Sequence, residues 1–184
     1  MTMTSATTAV PAWREPELAG QTVILIGGSA GIGFETARRA RAEGADVILT
    51  GRNPDRLEKA AAELGAQRTA AFDANDAAAL ARFFQDVPTP IDHVMVTAGG
   101  PRYGPLLEMD LAEVRQALTG HVVLGLEVAR NAVGKMRPGG TLLLMGGTGG
   151  RSIHRGLGIA AAATAVLPPF TAAINKLRIK ARIK

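Results

Sequence analysis

Four glycines stand between an apolar run and a helical pattern: Val23–Ile26, then Gly27, Gly28, Gly31 and Gly33, then Phe34–Glu43. Such a turn lets the backbone approach a phosphate closely and aims helix N-terminal amides at it. Four glycines exceed what a bare strand-to-helix turn needs. Gly27, Ser29, Gly31, Ile32 and Gly33 are therefore read as a nucleotide-phosphate cradle. Arg52 follows about 20 residues later, where a dinucleotide's adenosine ribose would lie. No acid occurs from Leu49 to Asn53. A carboxylate there would repel a 2′-phosphate, whereas an arginine holds one by a charge-assisted fork. This favours NADP(H) over NAD(H), against the plainer reading of Arg52 as a surface residue. Asp73 either accepts from an adenine amino group or caps the next helix. Thr148, Arg151, Ser152, His154 and Arg155 follow a late apolar strand, and His121 lies in a long helical pattern. A histidine titrates near neutrality and serves as acid or base, so His154 and His121, with Thr148 beside them, are the catalytic candidates. The plainer reading makes His154 a solvated loop residue and His121 a packing residue. Tyr103 either drapes over the same cleft or sits in a rigid loop between Pro101 and Pro105.

These residues need a scaffold that brings them to one edge. Predicted strands cover Val23–Ile26, Asp46–Thr50, Gln67–Phe72, His93–Thr97 and Thr141–Met145. Predicted helices fill the gaps. One opens at Pro54, a good first helical residue, and one begins near Asn75 or Asp76. A long one runs from Leu111 to about Met136 behind the capping pair Asp110 and Glu113. Strand and helix alternate five times, which predicts an α/β fold, a doubly wound parallel sheet with helices on both faces. In such sheets ligands bind beyond the C-terminal strand ends. The turns there carry Gly27–Gly33, Arg52, Asp73, Thr97–Gly100 and Gly146–Gly150. Their convergence says more than any one of them.

Composition narrows the classes. A hydrophobic content of 47% in 184 residues excludes a disordered chain and allows one domain with a sizeable core. Cysteine is absent, which excludes disulfides and thiolate metal sites and suits a cytoplasmic setting. Residues 1–20 are expected to be a flexible leader, with Trp13 either packed on the body or exposed. They lack the basic start and apolar run of a signal peptide. No later apolar run reads as an uninterrupted membrane helix. The net charge of +5 sits entirely in Lys176–Lys184, which holds five basic residues and no acid. The body is neutral, which argues against nucleic acid as a partner.

With Gly27-x-x-x-Gly31-Ile32-Gly33, Asp73 and Thr97-Ala98-Gly99 in place, the chain resembles the short-chain dehydrogenase/reductase family from Thr22 to about Ile174. The resemblance implies a Rossmann-type domain over residues 21–174 and a basic tail at 175–184. It also implies NADP(H) bound by the cradle, Arg52, Asp73, Ala98 and Gly99. The implied activity is oxidoreduction of a small carbonyl or alcohol substrate. Two departures stand out. Aligned on the fifth strand, the family's catalytic Ser, Tyr and Lys positions carry Gly146, Ile159 and Ala163, and its Asn position carries His121. About the last third of the family domain is also missing. The alternative is a dinucleotide-binding or interaction protein that has lost catalysis. The resemblance implies a homodimer or homotetramer built on the long helix and on Gly156–Ala165, with Pro168 and Pro169 breaking the latter helix. Finally, Lys176–Lys184 alternates basic and apolar residues, so Leu177–Ile183 is expected to add an edge strand beside Thr141–Met145. The competing expectation is a tail without fixed structure.

Overall fold

The computed structural model describes residues 17–148, 154–176 and 182–183. Trp13, the rest of the leader before residue 17, Arg151 and Ser152 lie outside the described residues. The strands are β1 (Thr22–Ile26), β2 (Asp46–Gly51), β3 (Arg68–Ala71), β4 (Ile91–Val96), β5 (Met136–Leu144) and β6 (Arg182–Ile183). The helices are α1 (Gly31–Ala42), α2 (Pro54–Leu64), α3 (Ala77–Asp86), α4 (Leu111–Ala132), α5 (Gly158–Ala165) and α6 (Leu167–Asn175). The strands form one sheet in the order β3-β2-β1-β4-β5-β6, and every neighbouring pair is parallel. This is the doubly wound, Rossmann-type sheet.

Alternation along β1 splits the core in two. Ile24 and Ile26 pack with Leu80, Phe83 and Phe84 of α3, Leu124 and Val128 of α4 and Ile174 of α6. Val23 and Leu25 face the other way, onto Ala37 and Ala40 of α1 and Leu57 and Leu64 of α2. Each fully buried Leu, Ile or Phe contributes about 1.5–3 kcal/mol. Both faces of the central strand are thus anchored, which fixes where its C-terminal turn emerges.

Two boundaries differ from expectation. The long helix ends at Ala132, and a 3-10 turn over Val133–Lys135 leads directly into β5. β5 therefore starts at Met136, five residues before the expected Thr141. Its register jumps from Ile91↔Met136 to His93↔Thr141, so β5 carries a bulge of three extra residues. Gly139 takes φ 87° there. The bulge brings the Arg137 Nε within 2.6 Å of Asp92 Oδ1. The second oxygen, Asp92 Oδ2, accepts from the Thr22 amide at 2.9 Å. One buried carboxylate thus ties three strands together at the edge opposite the glycine turn. Of the two starts expected for α3, Asp76 is the cap, accepting from the amides of Ala78 and Ala79.

Beyond β5, Arg182 pairs with Thr141 and Ile183 with Leu142. The tail does join the sheet beside β5 at these two residues. Residues 177–181 of the expected strand lie outside the described residues. The 18 residues Gly158–Asn175 have a mean hydropathy of 1.3, enough by length and composition alone to cross a membrane. Here they are two helices that break at Val166. Pro168 and Pro169 have no amide hydrogen to donate back to residues 164 and 165, which is the break expected from the sequence. Both helices bury apolar residues in the fold, among them Ala160, Ala161, Ala163, Leu167 and Ile174.

Candidate active site

The turn after β1 is held by close backbone contacts. Thr97 and Ala98 donate their amides to Ile26 O at 2.9 and 2.8 Å. Thr97 Oγ1 donates to Gly27 O at 2.9 Å. Gly27 has φ 101°, and a Cβ on it would stand 2.6 Å from the Ala98 nitrogen. A Cβ on Gly33 would collide with Gly27 O and come within 2.5 Å of Thr97 Oγ1. Only glycine lets the first turn of α1 lie this close beneath the loop.

That first turn is chemically open. Asn53, Asp76 and Asp110 cap α2, α3 and α4 with side-chain oxygens. At α1 the N-cap is Ala30, with no side-chain cap and no acid in the first turn. Its first amides keep their capacity to bind an anion, and the helix dipole reinforces it.

A cleft of about 650 Å³ runs along the strand ends from β3 to β4, which is the size range of small-molecule sites. Gly27, Ser29, Arg52, Asp73, Ala98 and Gly99 line it, as expected, together with Asn53, Arg56, Arg102 and Gln116. Gly31 and Gly33 do not line it. Gly33 is buried beneath the turn, and Gly31 starts α1 with φ 56°. Arg56 was missed from the sequence because it reads as an outward helix residue. The guanidinium groups of Arg52 and Arg56 form no ion pair with any described residue. Asp73 does not cap α3; its Oδ1 accepts from the backbone and side-chain nitrogens of Asn75. It remains on the cleft wall.

A second cleft of about 430 Å³ adjoins the first, toward β5 and α5. The two share Thr97, Ala98, Gly99, Gly120 and His121. The second is lined further by Ile32, Tyr103, Gly146, Gly147, Thr148 and His154. All three catalytic candidates thus converge there, and Tyr103 joins them. The loop carrying Tyr103 is pinned to the loop carrying His154, since the Gly104 amide donates to Gly156 O at 3.0 Å. His121 Nδ1 lies 3.0 Å from Ala117 O.

The register expected for α5 requires a correction. Leu157, Ala160, Thr164 and Leu167 face the second cleft. Ile159 is not on its wall, and Ala163 is 1% exposed inside the protein. The pair four residues apart that looks into the cleft is Ala160 and Thr164, one residue beyond the expected pair. The glycine-rich connection after β5 has no periodicity from which the count could be fixed. At neither register does a tyrosine or a lysine occur.

The model of the short chain dehydrogenase family matches residues 21–176. The chain belongs to this family, the short-chain dehydrogenases/reductases, whose members are oxidoreductases. Among curated relatives, galactitol 2-dehydrogenase (L-tagatose-forming) of Cereibacter sphaeroides is 32% identical over 145 residues, covering 75% of this chain and 57% of that protein. Oxidoreductase asL5 of Sarocladium schorii is 37% identical over 93 residues, covering 48% of this chain and 37% of that protein. The chain therefore spans about half the length of the curated relatives it matches. The crystal structure of BdcA in complex with NADPH shares the fold with a TM-score of 0.83 at 24% identity, covering 91% of this chain and 70% of that one.

Proposed function

We propose that the chain binds NADP(H) in the larger cleft and acts as a short-chain dehydrogenase/reductase-type oxidoreductase on a small carbonyl or alcohol substrate. The carrying observation is the rim at the end of β2. Arg52 and Arg56 both line it, without an ion pair among the described residues, and no acid occurs from Leu49 to Asn53. Two guanidinium groups suit the 2′-phosphate that distinguishes NADP(H) from NAD(H). The open first turn of α1 suits the pyrophosphate, and Gly27 and Gly33 allow the backbone to approach it. Asp73 and Asn53 line the same cleft and suit the adenosine. When bound, the reduced nicotinamide supplies a hydride to a carbonyl carbon.

One observation favours a second reading. Ala160 and Thr164 place no phenol and no ammonium in the second cleft, which suits a dinucleotide-binding or interaction protein without catalysis. Titration with NADPH and NADH, followed by a carbonyl panel on the same sample, separates the readings. NADPH binding with carbonyl-dependent oxidation supports the enzyme. Binding without turnover selects the second reading. Equal affinity for the two cofactors overturns the preference for NADP(H).

The same proposal includes a homodimer or homotetramer in a cytoplasmic setting. Exposed Leu118, Val123 and Leu126 on α4 and Val166 at the end of α5 support an assembly on these helices. Sedimentation at micromolar concentration tests it, and a monomer counts against it.

A further inference from the structure

We propose that His121 delivers the proton to the substrate oxygen, through Nε2, and that the substrate is an uncharged aldehyde or ketone. This rests on the dinucleotide binding proposed above. Three observations carry it. First, His121 lies on the shared wall of the two clefts, whereas His154 and Thr148 line only the second. A group that serves a hydride transfer between two bound molecules must reach the boundary between their sites.

Second, the ring is oriented by its own helix. Nδ1 lies 3.0 Å from the Ala117 carbonyl oxygen, which can only accept, so Nδ1 carries the hydrogen. In the neutral ring Nε2 is then the bare acceptor, and in the imidazolium it is the second donor. The Ala117 carbonyl thus fixes the tautomer, as backbone carbonyls do for metal-bound histidines.

Third, the alternatives are spent or misplaced. The Thr164 hydroxyl donates into its own helix, at 2.9 Å to Ala160 O. Tyr103 is 64% exposed on the cleft mouth. The described walls of the second cleft carry no Asp, Glu, Lys or Arg, and they include Val96, Leu144 and Leu167. Such a lining disfavours a charged substrate.

The step balances as follows. Hydride from the reduced dinucleotide forms the new C–H bond and the dinucleotide is oxidised. The carbonyl π pair moves to oxygen, which takes the proton from the imidazolium Nε2. Neutral His121 then regains a proton from water. Alcohol oxidation runs the same path backwards.

Two measurements test this. Imidazole nitrogen NMR of the ligand-free protein should show neutral His121 as the Nδ1–H tautomer; the Nε2–H tautomer overturns the assignment. His121→Gln keeps a hydrogen-bonding group but has no proton to give. It should lower kcat for NADPH oxidation by a panel of uncharged aldehydes and ketones at least about hundredfold, with the NADPH Kd within about twofold. Activity kept within about threefold overturns the proposal, as does a panel in which only carboxylate-bearing carbonyls react. NADPH binding without turnover in the unmutated protein overturns this assignment and leaves the dinucleotide binding standing. Failure to bind NADPH overturns the underlying reading and this one with it.

Discussion

A methyl group added at Gly27 would stand 2.6 Å from a backbone nitrogen, whereas one added at Gly147 would meet, among the described residues, only the end of Thr164, at 3.5 Å. The two glycines lie at the ends of neighbouring parts of one sheet, on the first and second cleft respectively. The glycine turn of the first cleft is made by backbone against backbone. Its shape follows from where β1, β4 and α1 meet, and little in that turn can be replaced. The second cleft is made by side chains set on a finished frame. There, residues can change their chemistry without disturbing the sheet. A short-chain dehydrogenase/reductase fold can thus retain its glycine turn while carrying Ala160 and Thr164 on the helix that faces the second cleft.

The sharpest test of this contrast is Gly27→Ala. The left-handed backbone and the Ala98 contact together should cost about 3 kcal/mol or more. That corresponds to a melting temperature lower by roughly 6–12 °C, read by circular dichroism. A loss under about 1 kcal/mol would break the contrast. Next in size, Ala160→Tyr with Thr164→Lys places a phenol and an ammonium on the cleft-facing line of α5. It should raise carbonyl reduction about hundredfold with the fold intact. Unchanged turnover in a folded variant would mean that the second cleft lacks more than these two groups. Arg52→Ala should weaken NADPH binding by about one to two decades and leave NADH binding nearly unchanged. Equal losses for both would remove the assigned phosphate contact.

Two smaller effects complete the series. His93 sits at the edge opposite both clefts, half-buried, with Nε2 2.7 Å from Gln21 Oε1. Burial lowers its pKa, and neighbouring Asp92 opposes that only in part. The unfolded chain therefore binds the proton more readily than the folded one. Stability from this source is present above the ordinary histidine pKa of about 6.5 and is lost as pH falls below it. His93→Gln should flatten that acid-side loss in thermal melts without altering NADPH affinity. A change in affinity would show that the far edge communicates with the clefts. Smallest of all, Gly147→Ala should shift stability by no more than about 0.5 kcal/mol.

The sheet was legible because β-branched runs, glycine caps and helix starts recur at regular spacing. Pro54 and Leu64 bound α2 where expected. That Gly27, Arg52, Asp73, Ala98 and Gly99 meet along one cleft was legible because backbone geometry and charge leave local marks. What failed depended on distant partners. The long helix was expected to reach about Met136, but strand begins there, where Arg137 meets Asp92, 45 residues away. Helix α5 was placed one residue out because nothing between β5 and Gly158 sets a period. Arg56 looked like solvent-facing charge, since its cleft is formed only when α2 folds back beside β2. Asp73 and Asp76 carry the same functional group, and only the α3 amides choose between them.

The all-parallel sheet also has a kinetic consequence. No neighbouring strands are joined by a hairpin, so each ladder closes a loop through at least one intervening helix. The Thr22–Asp92 contact spans 70 residues. Such nonlocal pairing slows the search for the native state. During synthesis, β1, β2 and β3 can align while β4 is still unmade, and β1 waits with one flank open. The Asp92 carboxylate arrives with β4 and is then positioned to lock that register, before Arg137 and β5 have emerged.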